Sequence, residues 1–240
     1  MNSAYSTKLR FTLFILIAFV CISPLYAQYY EQSAASSSNR FIDVGYLQRT
    51  FEPRYSNTSP DSLMIAYRRI MPTIGFREGM VDVTFGYTRF SLRGQDRTSV
   101  FAAITVGNEF PLTFSPTHGI FLPLMISTDY TRSDNTGTDK ENFNIGSLGI
   151  GAGLKYRFRQ PRFEFSIHAI EAVHWSFEGF NTGTGFSAAT TGEVMFMFRN
   201  AVLFDGITLG YRVRYQTWNM NSDFFDYKSL SHGAFLGVMF

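Results

Sequence analysis

From residue 40 to the last residue, apolar and polar positions alternate with a period of two. That period is the signature of β-strands, whose successive side chains point to opposite faces. Ten segments carry it, near 40–51, 63–76, 80–92, 98–112, 118–131, 144–159, 162–177, 185–198, 203–218 and 229–240. In 118–131 one parity reads Ile120, Leu122, Leu124, Ile126, Tyr130, and the other Phe121, Met125, Ser127, Asp129. In 144–159 Leu148, Ile150, Ala152, Leu154 and Tyr156 oppose Ser147, Gly149, Gly151, Gly153, Lys155 and Arg157. In 203–218 Ile207, Leu209, Tyr211, Val213 and Tyr215 oppose Thr208, Gly210, Arg212, Arg214 and Gln216. One face is greasy. The other holds charges, hydroxyls and glycine.

A soluble sandwich also alternates, but its strands are shorter, typically 5–6 residues, and its apolar face is the inner one. Several segments here run 12–16 residues, enough to cross a bilayer when tilted. Aromatic residues recur near strand ends, as in Tyr156 and Phe158, Phe163 and Phe165, Trp175 and Phe177, and Phe196 and Phe198. That spacing fits interfacial girdles. Short connections (77–79, 115–117, 160–161, 200–201) alternate with longer polar ones (52–62, 93–97, 132–143, 178–184, 219–228). The expected fold is therefore all-β: one transmembrane antiparallel up-and-down barrel over residues 40–240. Ten strands return both ends to the same side. Eight is the alternative, with 40–51 and 63–76 pairing outside the ring, and a soluble ligand-binding barrel is the architectural rival.

The last strand is the most specific segment. Ala234, Leu236, Val238 and Phe240 share one face and end on an aromatic residue. This resembles the terminal signature of bacterial outer-membrane β-barrel proteins. The resemblance implies a Gram-negative outer membrane, surrounding lipid as a partner, and recognition of this strand by the barrel-assembly machinery. His232 stands where a hydrophobe is usual.

Residues 1–27 read as a cleaved secretory signal: Lys8 and Arg10, an apolar run from Phe11 to Ile22, and Leu25-Tyr26-Ala27 before Gln28. The Phe19 and Val20 that precede Cys21 do not suit lipidation. Residues 28–39 are Ser-rich and polar, a flexible lead-in. Cleavage leaves 213 residues, 19 basic against 19 acidic, and no cysteine. The small excess of positive charge in the whole chain, +2, thus belongs to the signal. Nothing basic remains that would bind nucleic acid.

The alternation breaks twice. Arg68 and Arg69 are adjacent, with Pro72 in the same segment, so a bulge or a place near the outer rim is expected. Glu171 shares parity with Ile167, Val173 and Trp175, and a bulge near 169–172 would turn it inward.

The inward face is where chemistry would lie. Lys155, Arg157, Glu164, Glu193, Arg212 and Arg214 are the charged lumen-lining candidates, joined by Asp43, Arg49, Asp82, Glu109, Asp129, His168 and His174. A bore this narrow fills with side chains, and buried charges need partners. A plugged structural interior is the first expectation. A narrow pore lined by Lys155, Arg157, Arg212 and Arg214 is the second, and surface binding through 132–143 or through Phe224, Phe225 and Tyr227 the third. His174-Trp175-Ser176 superficially resembles the His-x-Ser pair of outer-membrane lipid A deacylases. It lacks the following Asn, its carboxylate is displaced, and its parity puts His174 inside. No catalytic role is therefore expected. His168 and His174 lie about 20 Å apart on one strand face, too far to share an ion. No metal or cofactor is expected, and the glycine runs at 146–153 and 183–185 are not phosphate loops.

Overall fold

The computed structural model describes residues 40–54, 66–79, 81–92, 94–135, 143–178, 183–201, 204–221 and 226–240. The expected signal segment, the lead-in, and Phe224 and Phe225 lie outside them. The strands are β1 (Arg40–Pro53), β2 (Tyr67–Glu78), β3 (Val81–Leu92), β4 (Gln95–Phe114) and β5 (His118–Asn135), then β6 (Phe143–Gln160), β7 (Phe163–Glu178), β8 (Thr184–Ala201), β9 (Phe204–Met220) and β10 (Tyr227–Met239). Each pairs antiparallel with its chain neighbours, and β1 pairs with β10, so the ring closes. Each strand is thereby paired on both sides over at least part of its length, which is how a sheet avoids an open edge.

Ten strands replace the eight-strand alternative. The segments at 40–51 and 63–76 belong to the ring, joined from Arg40↔Glu78 to Phe51↔Tyr67. No bulge interrupts that ladder, and Pro72 sits opposite Tyr46 in register. Arg68 and Arg69 are exposed at the start of β2, where the strand leaves its loop. The rim placement therefore holds. The register shift that does occur lies at Pro111/Thr113 in β4. None lies at 169–172, so Glu171 faces outward and accepts a hydrogen bond from Thr190 Oγ1 at 2.6 Å. The neighbouring hydroxyl supplies the donor that a bulge was expected to make unnecessary. The connection expected as a loop over 93–97 is shorter, since β3 and β4 pair as far as Leu92↔Gln95, and Gly94 stands at φ +76°. Positive φ is what a tight hairpin turn requires.

The outer surface is apolar. Ile70, Phe85, Ile126, Leu148, Ile150, Val173, Trp175 and Leu209 are exposed. So are Leu236 and Phe240, with Ala234 and Val238 partly covered beside them on the same face. Charges and hydroxyls are inside. Among buried residues are Arg49, Asp43, Asp129, Glu164, Glu193 and seven or more serines and threonines. This is the reverse of a soluble barrel.

The two ends differ. At the turn end lie Gly79, residues 115–117, residues 161–162, Arg40 and Phe240; Phe240 N donates to Arg40 O at 3.1 Å. The loop end carries the other connections. Between them, the inner face of β6 is glycine at 149, 151 and 153, and it lies close against β7. A Cβ at Gly153 would sit 2.0 Å from Ala169 O, and one at Gly149 2.2 Å from Val173 O. Backbone cannot retreat as a side chain can. Gly153→Ala is expected to cost about 1–3 kcal/mol through overpacking. Gly192→Ala, whose Cβ would meet only His168 O at 3.9 Å, is expected to be near neutral. Urea unfolding of both variants in detergent micelles, followed by far-ultraviolet circular dichroism, checks the contrast.

Candidate functional site

Glu193 of β8 joins arginines from two other strands. Arg77 of β2 donates to both carboxylate oxygens, Nη1 to Oε1 at 2.5 Å and Nη2 to Oε2 at 2.6 Å. Arg212 of β9 donates through Nε to Oε2 at 2.7 Å, through Nη2 to Asp82 Oδ2 at 2.9 Å, and through Nη1 to Thr84 Oγ1 at 2.8 Å. The rigid guanidinium fork suits this sharing, because its donors fan out in one plane. Phe235 supports both cations: its ring centroid is 5.0 Å from Arg77 Cζ and 5.7 Å from Arg212 Cζ. Gly210 makes the seat, since a Cβ there would fall 2.1 Å from the Phe235 ring.

A second cluster lies nearer the loop end. Asp129 of β5 accepts from Arg214 Nη2 at 2.8 Å and from Gln216 Nε2 at 3.2 Å. His174 Nε2 and Ser127 Oγ share a hydrogen bond of 2.8 Å. Arg49 crosses the bore from β1, donating to Ser229 Oγ and Thr131 Oγ1, both at 3.1 Å. Toward the turn end Lys155 Nζ donates to Glu109 Oε1 at 2.6 Å, and Arg199 Nη2 to Glu164 Oε2 at 2.8 Å. Arg157 stands over the Phe121 ring at 4.3 Å. Four cations, Arg77, Arg212, Arg214 and Lys155, are paired with four carboxylates, Asp82, Glu193, Asp129 and Glu109. Within these pairs the signs balance.

The loop end is closed by rings. Phe51, Tyr67, Phe90, Phe143, Trp218 and Tyr227 pack in one cluster with Ile145 and Met220, and Trp218 is 0% exposed. Phe51 stacks on Tyr227 at 4.6 Å and meets Phe143 edge-on at 4.8 Å. The wall toward β4–β8 answers with small hydroxyls. Tyr67 Oη bonds Ser99 Oγ at 2.7 Å, and Ser176 Oγ bonds Ser147 at 2.9 Å and Ser187 at 3.0 Å. Large side chains, mostly from β1–β3, β9 and β10 with Phe143 and Ile145 of β6, thus fill the space that these small ones leave.

Below this plug a cavity of about 150 Å3 remains. Ala103, Met125, Ile170 and Ala172 form its apolar wall, and Arg77, Asp82, Glu193 and Arg212 its charged wall. Gly79, Glu109 and Lys155 place it toward the turn end, and the Asp82 side chain keeps 30% exposure there.

All six charged candidates from the sequence face inward. Glu193 and Arg212 come together in one cluster. Arg214 lies in the other, and Lys155, Arg157 and Glu164 lie along the turn half. His174 and Ser176 do not pair: His174 bonds Ser127, and Ser176 bonds its serine neighbours. Two features escaped the sequence reading. Arg77 was assigned to a turn, although it shares parity with Met71 and Gly75, both buried. The inward rings were missed because aromatics near strand ends read as girdle residues. Trp218 nevertheless shares parity with Arg212, Arg214 and Gln216.

No family model and no curated protein matches the chain. Solved structures do. The chain is similar to the outer membrane protease OmpT from Escherichia coli at 8% identity, covering 85% of this chain and 98% of that one, with a TM-score of 0.37. It is similar to neisserial surface protein A at 12%, covering 84% and 97%, with a TM-score of 0.31. It is also similar to OprG from Pseudomonas aeruginosa at 12%, covering 85% and 96%, again at 0.31.

Glu193→Ala leaves Arg77 and Arg212 without their shared acceptor inside the bore. Removing one partner of a buried pair costs about 3–5 kcal/mol. The expected outcome is a lowered urea midpoint in detergent, with Glu193→Asp retaining part of the loss.

Proposed function

We propose that the protein is an outer-membrane β-barrel that does not conduct. On this reading it is a structural and binding barrel with a blind pocket on its turn side. The observation that carries the reading is the pairing of a ring-packed loop end with a cavity below it. A solute entering from the turn end meets the Lys155–Glu109 pair, then a wall of small apolar residues facing a neutral cluster of charges. That lining suits a small amphipathic solute better than a free ion. The apolar outer face supports a bilayer as the surroundings, because exposed rings and aliphatic chains would otherwise stand in water. Short turns then lie in the periplasm and longer loops outside, and Ala234, Leu236, Val238 and Phe240 present the strand that assembly machinery would read.

The reading is non-enzymatic. The deacylase-like alternative needs a His-Ser-carboxylate cluster at the lipid surface, and His174 is buried in the lumen at 1% exposure. The pore alternative needs a free basic wall, and Lys155, Arg212 and Arg214 each hold a carboxylate.

Planar-bilayer recording tests the proposal. The native barrel, shown to be inserted by protease protection, is expected to be electrically silent. A Phe51→Ala, Trp218→Ala double variant removes two rings of the plug and is expected to give discrete steps. Steps in the native protein that change ion selectivity with Arg212→Ala would overturn the closed-barrel reading.

A further inference from the structure

One seam of the ring is only half closed. β2 and β3 pair from Glu78↔Val81 to Thr73↔Gly86 and no further. Both strands continue for six residues toward the loop end, 67–72 and 87–92, fully paired on their other sides with β1 and β4. Pro72, the first residue past the last pair, brings no N–H. Side chains stitch the gap in place of a ladder. Thr88 Oγ1 donates to Ile70 O at 3.1 Å, and Arg69 Nη2 reaches Ser91 O at 3.4 Å. The Tyr67 and Phe90 rings meet behind it at 4.8 Å. A wall held by side chains opens more easily than one held by backbone bonds, because rotamers change without unzipping a strand.

The surroundings of the seam are graded. Ile70, Ile74, Phe85 and Tyr87 are exposed and apolar on the outer face. Arg68, Arg69 and Arg89 are exposed above them, around the top of the same gap. Arg89 is paired with Asp96 at 2.7 Å, while Arg68 lies against the Gln48 amide and Arg69 against backbone carbonyls and the Phe90 ring at 5.5 Å. The seam therefore carries surplus positive charge at its rim, an apolar flank below, and an interior of packed rings behind.

We propose that the β2–β3 seam admits an acyl chain of an anionic lipid. Arg68 and Arg69 hold the headgroup, and the chain passes between Ile70 and Thr88 to lie against the loop-end rings. This goes beyond the closed-barrel reading and rests on its placement of the outer face in lipid.

The two tryptophans make the test direct, since Trp175 faces outward at 63% exposure and Trp218 lies at 0% in the ring cluster. The full chain is reconstituted in vesicles of phosphatidylglycerol whose acyl chains carry bromine, a contact quencher of indole. Native protein must lose Trp175 emission; if it does not, the lipid-embedded reading fails before the seam is tested. In Trp175→Phe protein, where Trp218 is the sole reporter, emission is expected to fall about twofold in brominated phosphatidylglycerol. It should fall much less in brominated phosphatidylcholine. Pro72→Cys with Tyr87→Cys, in a Cys21→Ser background, bridges the gap by a disulfide and is expected to abolish the quenching, and reduction to restore it. Arg68→Gln with Arg69→Gln is expected to bring the anionic lipid down to the phosphatidylcholine level without any cross-link. Unquenched Trp218 overturns the proposal, as does quenching that survives the oxidised bridge. Equal quenching by both lipids overturns the role of the arginines.

Discussion

The fold depends on neutralising charge inside a bore whose outside has been given over to apolar side chains. Glu193 is the centre of that arrangement. It ties β8 to β9 through Arg212 and, across the bore, to β2 through Arg77. β2 and β8 are not neighbours in the ring, so the Arg77 contact fixes the cross-section as well as the charge. Strand ladders alone set only who neighbours whom. A carboxylate shared by two planar forks decides how far opposite walls stand from each other, and Phe235 with its Gly210 seat keeps both forks in place.

The same logic of unequal walls runs along the whole bore. At the loop end, rings from β1, β2, β3, β9 and β10, joined by Phe143 of β6, pack beside serines and threonines from β4 to β8. At mid-height, Arg77 of β2 and Arg212 and Arg214 of β9 face Ala103 of β4, Ala172 of β7 and Ala189 of β8. Where the large side chains are rings, the space is filled. Where they are guanidiniums drawn to Glu193, Asp82 and Asp129, the small side chains Ala103, Ala172 and Ala189 are left uncovered and a cavity results. Plug and pocket are thus two outcomes of one packing pattern.

Much of this was legible in the sequence, because a strict period of two assigns every residue to a face. Lys155, Glu193, Arg212 and Arg214 could be placed inside by parity alone. What parity lacks is register. That His174 meets Ser127, and not the Ser176 two residues along, follows from the alignment of β5, β6 and β7, and no local pattern encodes it. Arg77 was obscured for a different reason. It lies one residue before the end of β2, where strand and turn are not distinguished by composition. Alternation alone points to a bulge at Glu171 and to a bulge or a rim position at Arg68 and Arg69, because it sets charge against an apolar outer face. The strand tolerates Glu171 by offering Thr190 as a donor, and the arginines by ending near the rim.

The seam between β2 and β3 had one sequence mark, Pro72, and its consequence needs the structure. Backbone donors and acceptors in hydrocarbon have no water to fall back on, so an unzipped stretch there is costly. On the proposed placement in a bilayer, the cost falls where the stretch rises to the headgroups, beside the arginines that flank the upper gap. Lower down, Met71 packs over Gly86, closing the wall from inside at the last paired position. On that placement the barrel is zipped by backbone along the depth where lipid is driest. It is stitched by side chains only where polar headgroups can satisfy what the ladder omits, and that is also where a charged lipid would be held.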